Sequence, residues 1–259
     1  MIRRGLFVAS LVVCVGSPTV TRAADLDHGD GPGESPTKQA VGEGAFSALT
    51  LPARVGTTPA YAWGLGGYDS SRKKAIFDTM AEVHLWGPIA LRVEAVYSQD
   101  TQRMRPSGGA RVQLLNQEKH GLDGALSVFF KTEGFTESEG EIETYASLGR
   151  RFEVVSVVGN LVYGQDPEGN ERDGEVRATV FHQTGRFSFG ADARARFAIG
   201  TQHGKAATVE PKFDALGGPM ATVTVGPFAF FAEAGPSAFS LGGTTRVGVG
   251  GFGGLGSTF

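Results

Sequence analysis

The sequence predicts an all-β protein, a transmembrane antiparallel up-and-down β-barrel of about twelve strands, with ten or fourteen as alternatives. Three observations predict it. Long segments alternate strictly between apolar and polar residues, as strands do when one face meets an apolar medium. The connections between them alternate between tight turns and longer polar stretches. The 39 glycines and 18 phenylalanines suit a sheet that must bend and close, and fit neither a helical nor a disordered chain.

The chain opens MIRRGLFVASLVVCVGSPTVTRAAD. Arg3 and Arg4 make a basic start, Leu6 to Val15 an apolar run, and Thr21-Arg22-Ala23 places small residues at a cleavage site. Residues 1–23 therefore read as a secretory signal peptide, cut after Ala23 or Ala24. Cys14 leaves with it, so the mature chain carries no cysteine. No later run of apolar residues reaches the length of a spanning helix. A formal charge of -3 without basic clusters argues against a nucleic-acid partner. Residues 24–55 carry charge and turn formers without a sustained period and read as a flexible periplasmic tail. One patch in it, Ala45-Phe46-Ser47-Ala48-Leu49, could instead dock inside a barrel.

From residue 56 to 259 the chain reads as the barrel, with strands near 57–66, 75–86, 89–98, 109–117, 121–131, 141–149, 152–163, 175–184, 187–199, 219–226, 228–236 and 244–259. The hairpin AIFDTMAEVHLWGPIALRVEAVYS shows the pattern best. Phe77, Thr79, Ala81, Val83 and Leu85 take one face, and Asp78, Met80, Glu82 and His84 the other. After Trp86-Gly87-Pro88 the alternation resumes from Ile89. Strands of about 9–11 residues suit a tilted bilayer crossing, whereas soluble strands average about half that. A three-residue turn would set Leu85 opposite Ile89 and Glu82 opposite Arg92, an opposite-charge pair.

In RFSFGADARARFAIG, Phe187, Phe189, Ala191, Ala193, Ala195, Phe197 and Ile199 alternate with Asp192, Arg194 and Arg196. Joining this strand to EVRATVFHQT through two residues, Gly185-Arg186, keeps Arg177 with the charges. A longer turn would push Arg177 into lipid, at roughly 2–4 kcal/mol near the midplane. Gly185 suits the first position of a type II′ turn. Leu122 to Lys131 alternates except at Phe129, which breaks the polar face. Residues 200–218 give no clear pattern. Short connections fall at Trp86-Gly87-Pro88, Glu118-Lys119-His120, Arg150-Arg151, Gly185-Arg186 and Gly226-Pro227, with longer polar ones between.

That sorting is the plan of bacterial outer-membrane barrels. The closing stretch RVGVGGFGGLGSTF, with Val247, Val249 and Leu255 in step with a terminal Phe259, resembles the assembly signal of outer-membrane β-barrel proteins. It departs at Gly251, Gly253 and Ser257, where that pattern prefers apolar side chains. The resemblance implies residence in the outer membrane of a Gram-negative bacterium. The implied partners are outer-membrane lipid and the barrel-assembly machinery, engaged through the strand ending in Phe259.

With apolar residues on lipid, the lumen would be lined by Asp78, Glu82, His84, Arg92, Glu94, Arg111, Glu143, Arg177, Asp192, Arg194 and Arg196. Twelve tilted strands give a backbone radius of roughly 12 Å. That bore admits a narrow porin-like channel for small hydrophilic solutes, and Arg177, Arg194 and Arg196 on neighbouring strands would favour anions. Alternatively the charges pair and seal the lumen, and the barrel acts structurally or through its loops as an adhesin or receptor. A membrane-embedded hydrolase would need a histidine, and His28, His84, His120, His182 and His203 form no recognisable dyad pattern. A soluble β-sandwich is the remaining alternative. No phosphate loop, CxxC, EF-hand or dinucleotide fingerprint occurs, so no cofactor is implied. Asp166, Glu168, Asn170, Glu171 and Asp173 crowd one loop but lack calcium-loop spacing. Trp63, Trp86, Tyr97 and Tyr163 fall near strand ends, as interfacial girdles do.

Overall fold

The computed structural model describes residues 49–55, 59–98, 102–132, 134–135, 140–167, 169, 171–200 and 212–259. The signal peptide expected over 1–23, the tail as far as residue 48, His28, Glu168, Asn170 and His203 lie outside the described residues. Twelve strands follow in chain order: β1 (Ala60–Asp69), β2 (Lys74–Trp86), β3 (Ile89–Ser98), β4 (Arg103–Leu115), β5 (Asp123–Thr132), β6 (Gly140–Arg151), β7 (Val155–Gln165), β8 (Arg172–Thr184), β9 (Phe187–Ala198), β10 (Phe213–Val225), β11 (Phe228–Leu241) and β12 (Thr244–Thr258). One helical turn, α1 (Gln117–His120), joins β4 to β5.

Each strand pairs antiparallel with its chain neighbours, and β12 returns to β1, with Tyr61 opposite Thr258. The N–H of Phe259 donates to the Ala60 carbonyl at 2.9 Å and locks the last residue to the first strand. Closure removes every free sheet edge.

The period of two survives around the whole circuit because registers are matched strand to strand. On β7, Ser156, Val158, Asn160 and Val162 are buried while Val157, Leu161 and Tyr163 are exposed. The outward face is an apolar belt that includes Phe77, Val93, Val180, Phe189 and Phe230. The inward face buries Glu82, Arg111, Asp192 and Asp214. This is the reverse of a water-soluble protein, in which charges are almost never buried unless paired. Among the described residues no helix is long and apolar enough to cross a membrane.

The hairpin of β2 and β3 sets Glu82 opposite Arg92, as its charges predict. Leu85 does not face Ile89. The ladder shifts between His84 and Trp86, Trp86 takes Ile89, and the turn shrinks to Gly87-Pro88. A two-residue turn needs a positive φ, and Gly87 has φ +51. The displaced residue is absorbed as a bulge. His84 Nε2 lies 2.7 Å from the Gly87 carbonyl and clamps this turn. The Gly185-Arg186 turn is two residues long, with Thr184 opposite Phe187 and Gly185 at φ +56.

Other boundaries move. Arg151 stays in the ladder opposite Ser156, and the chain turns at 152–154, not at Arg150-Arg151. At Glu118-Lys119-His120 the expected tight turn is α1, capped by Asn116, whose Oδ1 accepts from the Glu118 N–H at 2.8 Å. β4 starts at Arg103 and β10 at Phe213, both earlier than expected, and β1 runs to Asp69. Arg103, Arg105, Asp214 and Asp69 belong to the inward set, so polarity alone made strand ends look like loops.

Candidate functional site

The lumen is occupied by the chain itself. Residues 49–55, LTLPARV, lie inside the wall on the side of the short turns, with Leu49, Thr50, Leu51, Ala53 and Val55 buried. The tail expected over 24–55 is therefore not free over its last seven residues. Every second residue of this strap is apolar or small, and Pro52 favours an extended path. Asn160 on β7 acts as its β-partner. Its Oδ1 accepts from the Leu51 N–H at 2.7 Å, and its Nδ2 donates to the Leu51 carbonyl at 2.8 Å. Thr50 and Thr179 share a hydroxyl hydrogen bond of 2.6 Å. The Val55 N–H donates to Gln113 Oε1 at 2.5 Å. Arg177 Nη1 donates to the Leu49 carbonyl at 3.2 Å, and Arg111 Nη2 to that of Pro52.

Apolar contacts complete the seat. Leu51 packs with Phe129, Tyr145 and Val162, and Val55 with Ala90 and Ala125. Phe129, the residue that breaks the polar face of β5, is there to receive Leu51. Ala53 passes so close to β6 that a Cβ on Gly149 would sit 2.8 Å from its methyl. Across the lumen, Tyr61, Trp63, Leu65, Met80, Ala229 and Phe231 form a second apolar cluster on β1, β2 and β11. Trp63 meets Phe231 edge to face at 6.3 Å. Trp63 is thus a lumen residue, not a girdle residue; Trp86 and Tyr163 do face outward.

The register places Asp78, Glu82, His84, Arg92, Glu94, Arg111, Glu143, Arg177, Asp192, Arg194 and Arg196 all on the inward set. The basic members are taken up by carboxylates. Arg111 Nη1 donates to both oxygens of Glu82 at 2.8 and 2.7 Å. Arg92 reaches Glu94 at 3.2 Å. Glu143 accepts from Lys131 at 3.2 Å and from the Tyr145 hydroxyl at 3.0 Å. Arg177 pairs with Glu175 at 2.7 Å, Arg194 with Asp214 at 2.8 Å, and Arg196 with Glu171 at 2.7 Å and with Asp173. Arg177, Arg194 and Arg196 accordingly form no bare cationic ladder, and the expected basis for anion preference is absent. Arg196 also neutralises two acids of the crowded loop at 166–173. Asp166 there accepts the Glu171 N–H at 2.8 Å. The His182 ring lies tilted against Phe189, centroids 5.1 Å apart, on the outward face.

No protein-family model matches the sequence, and no curated protein matches it. The fold does have solved counterparts. A NanC porin structure superposes with a TM-score of 0.57 over 76% of this chain and 99% of that one, at 9% sequence identity. The KdgM porin gives 0.52 over 77% and 99%, at 7% identity. The fold is that of the outer-membrane β-barrels. At such identities the likeness is one of fold alone. The strap was legible in part: Leu49, Leu51, Ala53 and Val55 keep period two ahead of β1, and Phe129 and Phe181 stand on otherwise polar faces.

Proposed function

We propose that the protein is an outer-membrane channel of narrow, porin-like bore for small hydrophilic solutes, held shut by its own residues 49–55. The observation that carries this reading is the wall beneath the strap, made of Ala90, Ala125, Ser127, Ser147, Gly149 and Thr179. A barrel that serves only as a scaffold can fill its lumen with wall side chains, as Trp63, Met80 and Phe231 do on the other side. Here residues 49–55, rather than wall side chains, fill the space against those small residues. The strap's hydrogen-bonding partners, Asn160, Thr179, Gln113, Arg111 and Arg177, are groups that water can satisfy once it leaves. The two porins of like fold support a channel class. Paired lumen charges favour no sign of ion. Outer-membrane residence is supported by the exposed apolar belt, and assembly through the strand that ends in Phe259 by its place at the closing seam.

The sealed reading has an observation of its own, the apolar cluster around Trp63. Planar-bilayer recordings separate the two. The mature chain should conduct at least about tenfold less than a chain lacking residues 24–55. Gly149→Val, which puts a branched side chain where Ala53 passes, should open the intact chain in the same way. Silence in both variants, with the folded barrel confirmed by its gel shift on heating, would establish the sealed reading instead. Asn160→Ala removes both bonds to Leu51 and should produce intermittent openings.

A further inference from the structure

The strap is gripped by its main chain. Asn160 accepts from the Leu51 N–H and donates to the Leu51 carbonyl, at 2.7 and 2.8 Å. Gln113 accepts from the Val55 N–H at 2.5 Å. The Leu49 and Pro52 carbonyls accept from Arg177 and Arg111. Backbone N–H and C=O groups of this kind belong to any peptide, whatever its side chains. The side chains are read more coarsely. Leu51 meets Phe129, Tyr145 and Val162, Val55 meets Ala90 and Ala125, and Ala53 passes within 2.8 Å of where a Cβ on Gly149 would lie. Main-chain bonds for affinity and spaced pockets for selectivity are how extended peptides are recognised.

The wall holds these receiving groups by bonds that do not involve the strap. Asn160 Nδ2 also donates to the Ser147 hydroxyl at 3.0 Å and to the Gly159 carbonyl at 3.1 Å, which fixes the donor end of its amide. Gln113 Nε2 donates to the carbonyls of Leu115 and, at 3.2 Å, Gly124, so Oε1 is the end turned to the strap. Arg177 gives Nε to Glu175 at 2.7 Å and Nη2 to the Tyr145 hydroxyl at 3.3 Å. Arg111 gives Nη1 to Glu82. The Tyr145 hydroxyl donates to Glu143, and its ring meets Phe129 edge to face at 5.4 Å. The seat therefore keeps its shape when the strap leaves. A preorganised site of this kind binds without first having to order its own side chains.

We propose that this seat binds extended peptides supplied in trans, entering by the mouth on the side of the short turns. The ligand matches residues 49–55 in length, with an aliphatic side chain in the places of Leu51 and Val55 and a small one in that of Ala53. The proposal rests on the reading above that the strap can leave the lumen. The strap is then the resident occupant, a tethered peptide that competes with free ones. Tethering on a short linker gives it an effective concentration of about a millimolar or more, so the intact chain binds a free peptide poorly. Once the strap is out, a free peptide plugs the lumen in its place.

The test uses the full mature chain, refolded in detergent, with the strap evicted by a change in the strap alone. Leu51→Asp puts a carboxylate among Phe129, Tyr145 and Val162, and Ala53→Leu puts a branched side chain against Gly149. Anisotropy of a fluorescently labelled LTLPARV peptide should show binding to both variants with a Kd of about 100 µM or tighter. Binding to the wild-type chain should be at least about tenfold weaker. The peptide VSIPGRI, which keeps the pattern of bulk with Pro and Arg in place, should bind within about tenfold of LTLPARV. N-methylation in the Leu51 place removes the N–H that donates to Asn160 without making the peptide less apolar. It should weaken binding at least about tenfold, as should Asn160→Ala in the chain carrying Leu51→Asp. No binding of LTLPARV to either variant would overturn the proposal. Equal binding of the N-methylated peptide would overturn it by marking adsorption to detergent, and failure of VSIPGRI by marking a seat for the strap alone. Planar-bilayer current through the same variants separates this site from the channel. Openings that the peptide leaves unblocked would overturn the site and keep the channel, whereas binding to a silent barrel would keep the site and overturn the channel.

Discussion

Arg111→Met is expected to destabilise the barrel by about 3–5 kcal/mol, the range for breaking a buried ion pair from one side. Arg111 has no exposed surface, and Glu82 is 3% exposed. The guanidinium gives Nη1 to both Glu82 oxygens, Nε to the Ser127 hydroxyl at 3.4 Å and Nη2 to the Pro52 carbonyl. Methionine fills much of the same volume, so the loss comes from stranding the Glu82 carboxylate rather than from a cavity. Urea unfolding of the refolded protein measures it through the shift in midpoint at constant slope. Adding Glu82→Gln should recover more than half of the loss, since no charge is then left stranded. A cost below about 1 kcal/mol is what a solvated pair would give, and it would mean that water reaches this level and that the strap does not close the lumen.

How far this arrangement could be read from the sequence depends on which physical signal each part carries. Alternation located the strands of the 75–98 hairpin and of 175–199, because lipid on one side and charge on the other is the strongest period-two contrast a chain can carry. It also put Glu82, Arg111 and Arg194 on one common face. Pairing was not legible. Arg194 meets Asp214, which sits in a segment whose Gly217-Gly218-Pro219 hides its strand character. Docking inside the barrel was legible for the patch ending at Leu49 but not for residues 50–55, because the strap is short and its recognition lies in Asn160 and Gly149, ordinary residues for an inward face until something passes against them. Phe129 was the visible clue. An aromatic ring on a polar face needs apolar neighbours, and Leu51 joins Tyr145 and Val162 in supplying them.

Leu161→Arg is the sharpest test of where the outward face resides. Leu161 is 63% exposed in mid-strand on β7, between Ala146 on β6 and Val176 on β8. In a bilayer, arginine near the midplane should cost roughly 2–4 kcal/mol, falling to about 0–1 kcal/mol close to an interface. Val247, 77% exposed near the loop end of β12, provides the second depth. Unfolding both variants in lipid vesicles should therefore show a large loss for Leu161→Arg and a small one for Val247→Arg. On a surface facing water, both changes would fall within about 0.5 kcal/mol of zero, and the barrel would be a soluble one despite its belt. The graded result cannot come from local packing, because neither side chain is buried by protein. A cost that follows depth along the strand direction is a property of the solvent, and only a slab of hydrocarbon about 30 Å thick supplies it.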